Sequence, residues 1–271
     1  MKTKYKISIA KIIAKILMIF ISKNQTVVRN GIKWNLDLKE GVDLSVYLFG
    51  TSEKKILNLT KLLSKKDSLT IIDIGANIGS VSLLMAKIFT NSKIYAIEPT
   101  NYAFQKLSQN LDLNPELKKN VLLKQLFITN IKKPTKVWSS WNLEKSNDKH
   151  KKHLGTLKEI KKNPYMKLSQ FMENENIDNV DFIKLDVDGY ELEVLSSGEE
   201  FLKLNKPIIF IEIAPYLYPE FGYDCQELIK FIRKMNYVFF DENLKKIADI
   251  FNEVDGIKDG SSKNYFLVQR T

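Results

Sequence analysis

The chain has 271 residues, of which 44% are hydrophobic and 27% charged, with a net charge of +10. That apolar share supports a sizeable core and excludes disorder as the main state. One cysteine, Cys225, and two histidines, His150 and His153, exclude a disulfide framework and any cysteine-based zinc or iron–sulfur site.

The charge is uneven. It is net +8 over residues 1–117, +11 over 118–167 and −9 over 168–271. A protein that coats nucleic acid would spread one sign over a whole face.

Residues 1–24 read as a basic amphipathic helix. Residues 1–23 hold six lysines and no acid, and Ile7, Ile9, Ile12, Ile13, Ile16, Leu17, Ile19, Phe20 and Ile21 supply the apolar mass. Lys4, Ser8, Lys11, Lys15 and Ser22 recur at helical spacing, a narrow polar stripe on an apolar rod. Lys11 and Lys15 interrupt any run able to span a bilayer, and no small-residue cleavage site follows Ile21. Two readings stay open: the helix packs on the domain or a second subunit, or it lies on an anionic membrane. Both place the protein in the cytoplasm, at most peripheral at the inner face of the membrane.

Residues 25–48 alternate like strands, with Asn30-Gly31 as the turn. Residues 52–66 carry helical spacing, with Ser52 as N-cap. The period then switches repeatedly. Strands are expected at 69–74, 93–98, 121–128, 181–187 and 207–213, with two more at 237–240 and 265–269. Helices are expected at 81–89, 102–113, 168–175, 191–204 and 226–235. Residues 130–165 are polar, lysine-rich and irregular. This is the pattern of an α/β protein whose mostly parallel sheet is covered on both faces. Residues 25–66 form an N-terminal extension, and 67–271 the main domain, with a basic insertion at 130–165. In such sheets ligands bind at the carboxyl ends of strands. That points to 73–79, 98–101, 125–130, 186–190 and 212–216.

The first of these reads Asp73-Ile74-Gly75-Ala76-Asn77-Ile78-Gly79, between a strand and a helix. Gly75 permits a sharp turn and Gly79 close helix packing. A dinucleotide fingerprint needs glycine where Asn77 stands, to admit a pyrophosphate; its absence argues against NAD and FAD. Glu98 ends the next strand, placed to accept both hydrogen bonds of a ribose diol. Asp73 would repel a phosphate and suit a cationic amino-acid group. Together they describe S-adenosylmethionine. The competing reading is that Asp73 caps a helix and Glu98 ends a strand in solvent.

These segments, with Ile183-Lys184-Leu185-Asp186-Val187-Asp188-Gly189, Glu191–Leu195 and Pro207–Glu212, resemble the FkbM-type S-adenosylmethionine-dependent methyltransferases over roughly residues 45–240. The resemblance implies a Rossmann-like, seven-stranded class I methyltransferase fold and O-methylation, often of sugars in glycans or natural products. It puts the cofactor on Asp73, Gly75, Ala76, Asn77, Gly79, Glu98 and Pro99. Two departures stand out: Asp188 occupies a position often held by Glu, and the 130–165 segment is long and basic.

Methyl transfer to a hydroxyl needs alignment and a proton acceptor. Asp186, at a strand tip, is the first candidate, with Glu212 and His153 as alternatives. Asp186 and Asp188 share a face if their strand persists. Clustered carboxylates could instead hold a divalent cation, but no third ligand stands at fixed spacing, so metal-independent transfer is expected. Trp138, Trp141 and Tyr165 could stack on a sugar or anchor a loop. Leu217, Tyr218, Pro219, Phe221 and Tyr223 could line an acceptor pocket or belong to the core. The expected partner is a small-molecule or glycan acceptor, not nucleic acid. The alternatives are a nucleic-acid methyltransferase, which lacks an Asn/Asp-Pro-Pro-aromatic motif here, and a non-catalytic membrane-peripheral scaffold.

Overall fold

The computed structural model describes residues 3–63, 66, 68–130, 136–138, 152, 155–160 and 164–269. His150, His153 and Trp141 lie outside the described residues.

Helix α1 (Thr3–Phe20) leads into a hairpin of β1 (Asn24–Arg29) and β2 (Ile32–Asp37). Asn30 and Gly31, at φ 52° and 70°, supply the two left-handed residues that such a tight turn requires. Next come α2 (Gly41–Phe49) and a 3-10 turn, Lys54–Asn58, which runs into α3 (Leu59–Leu63). The alternating part follows: β3 (Leu69–Ile74), α4 (Ser82–Ile88), β4 (Ser92–Ile97), α5 (Asn101–Asp112) and β5 (Val121–Lys124). Four short strands come next: β6 (Phe127–Ile128), β7 (Lys136–Trp138), β8 (Leu157–Glu159) and β9 (Tyr165–Met166). The chain then continues through α6 (Leu168–Asn174), β10 (Phe182–Leu185), α7 (Glu191–Ser196), α8 (Glu199–Asn205) and β11 (Ile208–Ile213). It closes with α9 (Cys225–Lys234), β12 (Tyr237–Phe240), α10 (Ile250–Asp255) and β13 (Lys263–Gln269).

Seven strands form the central sheet in the order β12-β13-β11-β10-β3-β4-β5. All neighbours are parallel except β13, which runs against both β11 and β12. The chain winds outward from β3 to β5, then returns to place β10 on the other side of β3. The order therefore reverses between β3 and β10, the switch point where open α/β sheets bind ligands.

Alternation along the strands feeds two apolar layers. Ile183 and Ile211 join one with Tyr95 and Phe171, while Phe182 and Phe210 join the other with Trp34 and Ile71. The N-terminal elements share this second layer through Ile32, Leu36, Val46, Ile56 and Leu59. Asn110 of α5 and Asn114, just past its end, cover the free edge of β2. Asn114 accepts from the Lys33 amide at 2.8 Å and donates to its carbonyl at 2.7 Å. Asn110 accepts from the Asn35 amide at 2.8 Å and donates to the Ile78 carbonyl at 3.0 Å, which ties the hairpin to the turn after β3.

Several elements differ from the sequence reading. Residues 41–48 are helical, not extended. In α2, Leu44 and Tyr47 pack toward α1 while Val46 enters the main core, so two neighbours share its apolar positions and no single stripe shows. Ser52 does not cap a helix; its hydroxyl lies 2.5 Å from that of Ser80. The strand expected at 121–128 leaves the sheet after Lys124, and Phe127–Ile128 pair with Tyr165–Met166 instead. The helix expected at 191–204 breaks at Gly198, where a Cβ would lie 2.8 Å from Leu168 Cδ2, because α6 packs on the bare backbone. The segment 130–165 holds an antiparallel pair, β7 with β8. Helix α10, absent from the sequence reading, packs Ile250, Phe251 and Val254 on the core, and Asp249 caps it through the amides of Phe251 and Asn252. Among the described residues no helix is long and apolar enough to cross a membrane.

Candidate active site

The turn after β3 is shaped by its neighbours. Gly75 sits at φ 83°, and a Cβ there would lie 1.9 Å from the Asp186 carbonyl oxygen, so only glycine lets the tips of β3 and β10 approach this closely. The amides of Gly75 and Ala76 both donate to the Ile97 carbonyl, at 3.0 and 2.9 Å. Asn77 adopts φ 51°, a left-handed conformation that asparagine tolerates. Its amide donates to Glu98 Oε2 at 3.0 Å. Glu98 Oε1 accepts from the Thr100 amide at 2.9 Å and hydroxyl at 2.6 Å. Burial pushes the Glu98 carboxyl above its ordinary range, and these hydrogen bonds oppose the shift. Glu98 is thus buried and held on the β4 tip, not left in solvent. Gly79 serves packing: a Cβ there would meet Leu107 Cδ1 of α5 at 2.4 Å.

Asp73 lies behind the cleft wall, not on it. It is fully buried; one oxygen accepts from the Ser82 hydroxyl at 2.6 Å, and the other has no hydrogen-bond partner and faces the Lys184 ammonium at 3.7 Å. Lys184 rises from the middle of β10 and donates to the Gly75 carbonyl at 2.8 Å. Asp186 Oδ2 lies 3.3 Å from it and Glu53 Oε1 3.9 Å. Burial alone would lower the Lys184 pKa; Asp186, Asp73 and Glu53 outweigh it and raise it. One ammonium therefore links the turn after β3 to three carboxylates. Burial, countered by Lys184 and assisted by Asp186 and Asp73, pushes Glu53 up to about 7.

On the other side of the switch point, β10 ends at Leu185, so strand alternation does not place Asp186 and Asp188. A turn does, with Asp188 at φ 50° and Gly189 at φ 107°. Glu191 accepts from the amides of Val187 and Gly189 at 3.3 and 3.4 Å, and the Tyr223 hydroxyl donates to the Gly189 carbonyl at 2.7 Å. Glu212, on the neighbouring strand β11, completes a group of three. Asp186, Asp188 and Glu212 each offer an oxygen within 4.8 Å of the others. Glu212 accepts from the Ser262 hydroxyl at 2.6 Å. Burial and then the charges of Asp186 and Asp188 raise the Glu212 carboxyl well above its ordinary range.

Both halves open into one cleft of about 1020 Å³. Gly75, Ala76, Asn77, Glu98, Pro99, Asp186 and Glu212 line it; Asp73 and Gly79 do not. Its wall carries eight carboxylates against three lysines, Lys158, Lys184 and Lys263. Such a cleft favours a cationic occupant. The excess of acid and the Glu98 carboxylate on the wall fit a nucleoside that carries a sulfonium and an ammonium.

A family model, the methyltransferase FkbM domain, matches residues 73–239. The chain belongs to the FkbM methyltransferase family. No curated protein matches it by sequence. Among solved structures it is similar to the METTL16 methyltransferase domain, at 13% identity and TM-score 0.49, over 88% of this chain and 74% of that one. It is similar to TYW2 of M. jannaschii in complex with AdoMet, at 16% identity and TM-score 0.42, over 91% and 85%. It is also similar to precorrin-6y C5,15-methyltransferase of Geobacter metallireducens, at 14% identity and TM-score 0.43, over 82% and 93%.

This FkbM-family enzyme is therefore an S-adenosylmethionine-dependent methyltransferase. Sequence reasoning missed Glu53, Lys184, Tyr216 and Ser262. Of these, Lys184 left a signal, a lysine between Ile183 and Leu185 in an otherwise apolar strand, and Tyr216 fell within the strand-end window 212–216. The aromatic run after Glu212 is mostly core: Leu217, Tyr218 and Tyr223 are buried, and Tyr218 stacks on Tyr223 with centroids 4.8 Å apart. Tyr216, one residue earlier, lines the cleft, as does Trp138. Tyr165 is on the surface, in β9.

Proposed function

We propose that the enzyme methylates a hydroxyl of a sugar, in a glycan or glycoconjugate. The observation that carries this reading is the gathering of Asp186, Asp188 and Glu212 on the cleft wall beside the cofactor turn. S-adenosylmethionine supplies an electrophilic methyl group on a sulfonium. An alcohol becomes an adequate nucleophile only as its proton is taken up, and these carboxylates are placed to take it. We assign that role to Asp186. Glu212, held toward its protonated form, donates a hydrogen bond to the acceptor. His153 remains an alternative base outside the described residues. The excess of acid on the cleft wall disfavours a phosphate backbone, which counts against the nucleic-acid reading that the net charge invites. Trp138 offers an apolar face for a sugar ring.

We further propose that transfer needs no metal. The ammonium of Lys184 already faces Asp186, and the Ser262 hydroxyl already engages Glu212. Residues 67–271 form the methyltransferase domain, with 25–66 packed on it and 1–24 as a basic helix. The test is transfer of a labelled methyl group to neutral hexosides and, in parallel, to transfer RNA. The expected product is an alkali-stable sugar ether, formed equally well with chelator present. Label in RNA would overturn the acceptor class, loss of activity with chelator the metal independence, and no transfer to any acceptor would favour the scaffold.

A further inference from the structure

Among the described residues, helix α1 packs on the fold by one face. Ala10, Ala14, Leu17, Met18 and Ile21 pack against Leu38, Leu44 and Tyr47. Ile9, Ile12, Ile16, Ile19 and Phe20 point outward, with Ile19 75% and Phe20 82% exposed. At about 100° per residue these five fall in one sector about 100° wide, opposite the packed face. Lys11 and Lys15 fall between the two, along one border of the exposed sector. So large an unpartnered apolar strip calls for an occupant.

Charge selects that occupant. The first 36 residues hold seven lysines, Arg29 and no acid; the first carboxylate is Asp37. A two-fold contact with a second copy would set Lys11 and Lys15 against their own images with no acid on the helix to pair them. An anionic surface that is also apolar within a few ångström matches both sectors together. Lysines at headgroup depth beside an apolar sector at the acyl boundary is the arrangement of an interfacial helix. No described helix is long and apolar enough to span a bilayer, so the contact is one of lying on the surface.

We propose that the outer face of α1 docks this protein onto an anionic lipid bilayer. The proposal is independent of the acceptor assigned above. It nonetheless places the chemistry near the bilayer, because α2 holds α1 through Leu44 and Tyr47 while its Gly41, Asp43 and Ser45 line the cleft.

The test is co-sedimentation of the full chain with vesicles of phosphatidylcholine alone and of phosphatidylcholine with phosphatidylglycerol. The expected result is binding to the anionic vesicles only, weakened by salt. Replacing Ile12, Ile16 and Ile19 together by Gln should lower the partition at least tenfold. Lys11→Glu with Lys15→Glu should lower it by about fivefold or more per lysine, the equivalent of ~1 kcal/mol each. Every altered side chain but Lys11 is solvent-exposed in the protein, and S-adenosylmethionine affinity measured on the same samples verifies the fold. Equal binding to neutral vesicles, no binding at all, or variants that partition like wild type would overturn the proposal. A dimer in analytical ultracentrifugation that the Gln variant dissolves would replace the bilayer with a second copy.

Discussion

The two sides of the switch point treat their carboxylates differently. On the cofactor side, Glu98 is met by two amides and a hydroxyl, all from the turn residues it organises. On the acceptor side, Asp186, Asp188 and Glu212 crowd within 4.8 Å, and the hydroxyl of Ser262 and the ammonium of Lys184 are what the fold sets against Glu212 and Asp186. Within that group burial and the charges of Asp186 and Asp188 push the Glu212 carboxyl above its ordinary range. We propose that the fold divides binding from chemistry across the switch point, where Lys184 reaches both the Gly75 carbonyl and Asp186.

The largest effect expected from this division is on turnover. Asp186→Asn is nearly isosteric and should lower kcat ~100- to 10,000-fold, the usual loss for a general base. S-adenosylmethionine affinity should stay within a few-fold, as calorimetry would verify. Equal losses in both would erase the division.

Glu98→Ala should do the converse. Loss of a charged acceptor costs ~1.5–3 kcal/mol, so cofactor affinity should fall tenfold to over a hundredfold. Turnover at saturating cofactor should fall far less. Gly75→Ala probes the contact between the halves. Its methyl group would collide with the Asp186 carbonyl and sit at φ 83°, so it should lower stability by about 2–4 kcal/mol, read from the denaturation midpoint.

The smallest effect concerns the support beneath the acceptor turn. Burial raises Glu191 from an ordinary 4.5 to about 8. Between those values the unfolded chain releases this proton while the folded one retains it, so the residue's contribution to stability falls as pH rises through that window. Glu191→Gln keeps one oxygen for the amides of Val187 and Gly189 and removes the titration. Its Tm should gain on wild type as pH is raised from about 5 to about 8. A constant gap would mean that Glu191 is ionised in the fold.

What the sequence showed and what it hid follow the same line. The β3 turn and Glu98 are legible because their chemistry is local: a strand, two glycines and an acid one strand away. The acceptor side is assembled by contacts distant in sequence. Glu53 reaches Lys184 from the N-terminal extension and Ser262 reaches Glu212 from the loop just before β13, and neither spacing marks a site. Asp188 joins Asp186 through a left-handed turn held by Glu191, which strand alternation cannot foresee. The aromatic run at 217–223 has the composition of a pocket and the burial of a core, and only tertiary packing separates Tyr216 from Tyr218.

The most direct measurement of the central claim is a crystal structure with S-adenosylhomocysteine bound. The account predicts the ribose diol on Glu98, the amino-acid end at the Gly75–Asn77 turn and the open side of the sulfur facing Asp186 and Glu212. A sulfur that faced Tyr102 and α5, with Asp186 and Glu212 on the closed side, would contradict it.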